Sequence, residues 1–174
     1  KNAMNILVLT NIYPPQELGG YGRSLADFVW GLQQRGHNIQ VLSSDAPKLG
    51  ASSKLGPNKE PIDRKLKLKG TYSNGIKHVQ NPTERHTIDE YNIRLIRYWI
   101  NTKQWDGILI GNLDLIGPEP LSVLIEANCK IQHHIGFVHP PFQAHSWPRS
   151  SNYVMVAASK AVRSALINGG MPTR

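Results

Sequence analysis

Short apolar runs alternate along the chain with stretches in which apolar residues recur at helical spacing. NILVLT, residues 5–10, shows no polar alternation, which predicts a strand covered on both faces in a parallel sheet. From residue 21 to 34, Leu25, Phe28, Val29 and Leu32 recur three or four apart, and the glycine of RGHN stops the pattern. A helix opening at the glycines just before it is predicted, and NIQVLSSD, residues 38–45, reads as the second strand of a βαβ unit. Further on, Ile88, Tyr91, Ile93, Leu95, Ile96, Trp99 and Ile100 predict a helix over 87–102, leading into a strand at DGILIG. LDLIGPEPLSVLIEANC predicts a helix of two to three turns with Pro118 or Pro120 in its first turn. KIQHHIGFVH and YVMVAAS read as strands, and KAVRSALINGG as a closing helix with Ser159 as its N-cap. Trp30 and Trp99 fall on helical faces and read as packing residues.

Between these elements lies a different texture. APKLGASSKLGPNKEP, residues 46–61, has no periodicity and reads as a mobile loop. KLKLKGTYSNGIKHVQ offers two strand-like runs around SNG, with Asn74 and Gly75 at the centre of a hairpin turn. Within it Lys65, Lys67 and Lys69 alternate with Leu66 and Leu68, which predicts a strand with one wet, basic face. The alternation of β and α elements predicts a Rossmann-like three-layer α/β/α sandwich with a mainly parallel sheet, whose ligands sit beyond the carboxyl ends of the strands. One domain over residues 4–174 is expected, Lys1, Asn2 and Ala3 ahead of Met4 reading as a cloning remnant.

Charge narrows the partners. Twenty Lys and Arg oppose twelve Asp and Glu, a formal net charge of +8, much of it between Lys48 and Lys77. Such a field attracts phosphates, acidic lipid or anionic substrates, and peripheral contact with an anionic membrane stays open. Nucleic acid is not an expected partner, because no helix-turn-helix, zinc finger or stacking-aromatic motif accompanies the charge. The single cysteine, Cys129, has no CxxC or Cys/His ligand spacing around it, which suits a reducing compartment and argues against structural zinc. No apolar run approaches the roughly 20 residues that span a bilayer. A cytoplasmic protein is expected, with attachment to the inner face of the membrane as an option.

The stretch PPQELGGYGRSL places Gly19, Gly20 and Gly22 between the first strand and the first helix. Unpaired N–H groups and the positive end of a helix dipole there suit an anion, although glycines also serve positive φ or close packing. A dinucleotide fingerprint needs G-x-G-x-x-G/A in a tight turn and an acid about 20 residues on. Asp45 imitates the acid, but Leu25 stands where the third glycine belongs and NIYPPQEL inserts eight residues ahead of Gly19. An NAD(P)-binding oxidoreductase domain is thus a second reading, and a Walker loop is excluded because no Gly-Lys-Ser/Thr occurs.

MNILVLTNIYPPQELGGYGRSLADFVWGLQQRGHNIQVLSSD resembles the amino-terminal opening of family 4 glycosyltransferases, which have the GT-B fold. WDGILIGN is similar to that family's strand ending at the interdomain cleft, and YVMVAASKAVRSALINGGMP to the segment closing its first domain. The stretch from Pro47 to Thr87 matches nothing in the family. The resemblance implies one half of a GT-B transferase that moves a sugar from a nucleotide-sugar, a substrate and not a cofactor, to a sugar, lipid or small-molecule acceptor. It implies retention of configuration and no metal bound by a DxD motif. It also implies a cleft loop in which Gly19 and Gly20, with Tyr21 and Gly22, face the donor diphosphate. The donor-binding domain is expected to follow Arg174, and these residues alone are expected to be inactive.

His133, His134 and His139 fall on or just after a strand ending at that cleft, where the family often has a histidine. His134 is the catalytic candidate, contacting the transferred sugar or the acceptor, and strand alternation turns His133 to the other face. Asn112 and Asp114 follow DGILIG and suit acceptor hydroxyls or a capped turn. His139 joins them as an acceptor contact, and Phe142, His145 and Trp147 suit stacking on a sugar ring or plugging the loop. Bare histidines without a matched carboxylate or thiol do not make a metal site. A non-catalytic lipid- or carbohydrate-binding module is the reading from a different class.

Overall fold

The computed structural model describes residues 2–20 and 22–172. In chain order the elements are β1 (Asn5–Leu9), α1 (Arg23–Gln34), β2 (Asn38–Ser44), β3 (Ile62–Leu66), β4 (Gly70–Tyr72), β5 (Ile76–His78), α2 (Pro82–Ile100), β6 (Gly107–Ile110), α3 (Leu121–Leu124), β7 (Lys130–Ile135), β8 (Tyr153–Ala157) and α4 (Lys160–Asn168). Six strands form one parallel sheet in the order β3-β2-β1-β6-β7-β8, and β4 and β5 pair as a separate antiparallel hairpin. Setting the hairpin aside, this is the doubly wound Rossmann-like order, with its switch point between β1 and β6.

The absence of alternation in β1 has a direct cause. Ile6 and Val8 pack with Ala26 and Val29 of α1 on one face, while Leu7 and Leu9 pack with Ile96 and Ile100 of α2 and Leu121 and Leu124 of α3 on the other. Both faces are covered, so every position must be apolar, and each fully buried aliphatic side chain contributes about 1.5–3 kcal/mol. Val162 and Leu166 of α4 close the β7–β8 end against Ile135, Met155 and Ala157. Ser159 caps α4, its Oγ accepting from the Val162 N–H at 3.2 Å.

Several expectations are corrected. α2 begins five residues early, at Pro82, because Asn81 accepts from the Glu84 N–H at 3.0 Å and Pro82 takes the first helical position. The helix expected after the prolines shrinks to one turn of α3 and a 3₁₀ turn over 125–127, ended by Asn128 in the left-handed region. KLKLK is not one strand: β3 ends at Leu66, and Lys69 is buried between Asp89 at 2.8 Å and Glu119 at 2.7 Å instead of facing water. Residues 46–61 are tied down, Glu60 being buried as acceptor of the Tyr13 hydroxyl and the Gly50 carbonyl accepting from Gln16. Trp30 is 48% exposed, and Phe28 46%, so neither serves the core. The hairpin turn is as expected, with Asn74 at φ 51 and Gly75 at φ 95. Among the described residues, no helix is long and apolar enough to cross a membrane.

Candidate functional site

Three loops leave the carboxyl edge of the sheet around the switch point: 10–22 after β1, 111–120 after β6, and 136–152 after β7. The first two are sewn together by a main-chain bond and by the Thr10 hydroxyl. The Asn11 N–H donates to the Asn112 carbonyl at 2.8 Å, and the Asn112 N–H donates to Thr10 Oγ1 at 3.2 Å. The Asn11 side chain, fully buried, donates to the Tyr72 hydroxyl at 2.6 Å and the Asp114 carbonyl at 3.3 Å. Gly111 must be glycine for this approach, because a Cβ there would stand 2.6 Å from Leu25 Cδ2 and 2.8 Å from Thr10 Oγ1.

The loop after β1 is not a tight dinucleotide turn. Ile12 and Tyr13 are buried, Pro14 and Pro15 are joined by a cis peptide bond, and Gln16 is buried with Nε2 donating to Asp45 Oδ1 at 2.9 Å. Asp45 is thereby engaged by the loop, the acid that imitated a ribose contact in the sequence. Arg64 braces the loop from β3, its guanidinium donating to the carbonyls of Tyr13, Pro14, Ser44 and Ser53 at 2.7–3.3 Å. The chain then reaches Gly19 and Gly20, both exposed, where an added Cβ would meet nothing within 4 Å. Gly22, at φ 76, starts α1 without a side-chain cap, and no acidic residue stands in the first turn. Arg23 folds back on Glu17, Nη2 to Oε2 2.9 Å. Tyr21 lies outside the described residues.

Between the second and third loops lies a cavity of about 250 Å³ whose walls include Asn112, Asp114, His134, Phe137 and His139. Four candidates from separate parts of the sequence thus share one cavity. Asn112 is partly committed, its Oδ1 accepting from the Asp114 N–H at 2.7 Å. His134 is half-buried beneath the Phe28 ring, centroids 5.2 Å apart and edge-on, and its Nε2 is buried without a hydrogen-bond partner among the described residues. Burial holds its pKa below the usual histidine value, so the ring is neutral at pH 7. His133 points to the opposite face as alternation required. It is 1% exposed and shares a 2.6 Å hydrogen bond between Nδ1 and the Tyr153 hydroxyl, and its pKa is lowered to about 3, chiefly by burial.

Other candidates sit elsewhere. Trp147 packs edge-on to Tyr153, centroids 5.0 Å apart, and lines a different cavity beside α4. Phe142 is half-buried against the same cluster, and His145 is exposed. Arg23, Phe28 and Arg64 were missed. An Arg directly after the glycines was a visible signal for the first, whereas the roles of the other two depend on contacts across 106 and 50 residues respectively. Among the described residues, no three His, Cys, Asp or Glu side chains gather where a metal ion could sit.

Strand order and loop placement define a doubly wound, Rossmann-like α/β domain with a cavity at the carboxyl edge of the sheet, between the loops after β6 and β7. No family model matches the chain, and no curated protein matches it. Solved chains that match include the catalytic domain of starch synthase IV from Arabidopsis thaliana bound to ADP and acarbose, with 14% identity and a TM-score of 0.45. That match covers 79% of this chain and 34% of the other, so this chain spans about a third of its length.

Proposed function

We propose that this chain is the acceptor-side half of a GT-B glycosyltransferase of the family 4 type, working on a nucleotide-sugar without a metal and with retention of configuration. The resemblance of residues 4–45 supports it, and one geometric observation carries it. The open, uncapped start of α1 lies beside the cavity that holds Asn112, Asp114, His134 and His139, with Leu25 against Gly111 and Phe28 against His134. An anion seated at the start of α1 therefore has near it a pocket with four polar side chains, Asn112, Asp114, His134 and His139, for the group it carries.

On this reading the first-turn N–H groups of α1 donate to the diphosphate, and the exposed Gly19 and Gly20 let it approach the backbone. His134 stays neutral, and because its Nε2 is buried it reaches a hydroxyl of the transferred sugar or acceptor only with a shift of its ring. Asp114 and His139 serve acceptor hydroxyls. The nucleotide would be held mainly by a second domain, so turnover by these residues alone is expected to be absent.

The test is titration of isotope-labelled chain with UDP, ADP and GDP, and separately with NADH, followed by amide shifts. Diphosphates should move Gly19, Gly20 and the His134 ring resonances. NADH moving the same signals at lower concentration, with the nucleoside diphosphates inert, would transfer the site to the dinucleotide reading.

A further inference from the structure

A second groove opens on the same sheet edge, beyond the carboxyl ends of β2 and β3, with a volume of about 490 Å³. Its lining is two-toned. Leu68, Tyr72 and Ile88 supply apolar surface, and Lys48, Lys65 and Lys67 bring three exposed ammonium groups. Among the described residues, none of the three lysines forms an ion pair with a carboxylate. Lys67 Nζ lies 4.0 Å from the centroid of the Tyr91 ring instead. The single carboxylate in the lining, Asp45, already accepts from Gln16, and the Arg64 guanidinium is turned to main-chain carbonyls.

The groove is coupled to the cleft through one short chain of contacts. Tyr72 lines the groove, its hydroxyl accepts from Asn11 Nδ2, and the Asn11 N–H donates to the carbonyl of Asn112, a wall of the cleft cavity. The buried Asn11 is thus the one residue between a wall of the groove and a wall of the cleft cavity.

We infer that this groove takes an amphiphile carrying a phosphate-type anionic head, the lysines meeting the head and Leu68, Tyr72 and Ile88 meeting the apolar body. Resting on the glycosyltransferase reading, this assigns the acceptor class: an anionic, phosphate-bearing molecule with an apolar portion. Lys48, Lys65, Lys67 and Arg64 outnumber the one carboxylate, Asp45, so the lining is net positive around apolar surface and complementary to both parts of such a ligand.

Decyl phosphate below its micellar concentration is the probe, measured by calorimetry and amide shifts on the 174-residue chain at low salt. Hexaethylene glycol monodecyl ether replaces the charge in a second arm, and inorganic phosphate removes the tail in a third. Saturable one-to-one binding of decyl phosphate, about tenfold or more tighter than either control, is expected. The triple variant Lys48→Gln/Lys65→Gln/Lys67→Gln, at exposed positions, should weaken it about tenfold with an unchanged melting temperature. Ile88→Asn should weaken decyl phosphate and leave inorganic phosphate alone. Equal binding of the uncharged ether, equal binding of phosphate, or an unaffected triple variant would overturn the inference. So would retention on phosphatidylglycerol vesicles without binding of the monomer, since that outcome belongs to a membrane surface. UDP shifts at Gly19 and Gly20 in the same samples test the glycosyltransferase reading separately: their loss beside intact decyl phosphate binding removes the acceptor role and keeps the groove.

Discussion

Arg64 donates through Nη2 to the main-chain carbonyl of Pro14 at 2.8 Å, which fastens β3 to the loop that carries the cleft glycines. The same guanidinium serves the carbonyls of Tyr13, Ser44 and Ser53, so one side chain holds three segments. Arg64→Met should lower stability by about 2–4 kcal/mol, since hydrogen bonds from a charged donor are each worth about 1.5–3 and the half-exposed site discounts their sum. Arg64→Lys should recover only part, because an ammonium cannot span the same carbonyls. Urea unfolding measures both, and an unchanged midpoint for Arg64→Met would remove the brace.

The glycines separate by backbone and space. Gly20 has neither a positive φ nor a neighbour for an added Cβ, so Gly20→Val should leave stability within about 0.5 kcal/mol and still weaken diphosphate binding. Gly22→Ala should cost about 1–3 kcal/mol, because φ is 76 and the new Cβ would lie 3.2 Å from the Ile12 carbonyl. Thermal melts beside nucleotide titrations distinguish the two, and a destabilised Gly20→Val would refute the assignment of open space.

Lys65 and Lys69 look alike in KLKLK but should behave oppositely. Lys69→Met strands Asp89 and Glu119 around a buried site and should cost about 3–5 kcal/mol, whereas Lys65→Met, at an exposed position, should change little. Comparable losses in the two variants would contradict the buried pair.

His133 sets a pH limit. Its folded pKa of about 3 lies below the ordinary 6.5, so between these values the unfolded chain binds a proton that the folded chain does not. Its contribution is fully present above pH 6.5 and declines as pH falls toward 3, with a slope of up to about 1.4 kcal/mol per pH unit. His134 is lowered in the same direction by burial and adds to the slope. Urea midpoints should therefore fall faster below pH 6.5 in the parent than in His133→Gln, and parallel profiles would count against a buried neutral His133.

The parallel sheet was legible because a strand covered on both faces leaves no room for polar residues, as Ile6, Leu7, Val8 and Leu9 show. The start of α2 was legible too, in Asn81-Pro82, but the apolar rhythm begins later and masked it. What could not be read were pairings set by tertiary neighbours. Lys69 carries the same side chain as Lys65, and only the arrival of Asp89 and Glu119 makes it a buried residue. Phe28 fits the apolar stripe of α1, yet the stripe rolls far enough for it to leave the core and cover His134. The gathering of Asn112, Asp114, His134 and His139 followed from their standing at or just past the carboxyl ends of β6 and β7, whereas Trp147, placed by a longer loop, went to another cavity.

The join between Asn11 and Asn112 uses an N–H and a carbonyl, groups that every residue but proline possesses. Thr10 and Gly111 apart, the frame of the cleft is therefore indifferent to most side chains that decorate its rim. New residues can be tried at the rim of the second and third loops while the spacing between β1 and β6 is kept. A fold with such a seam can change its customers without rebuilding its counter.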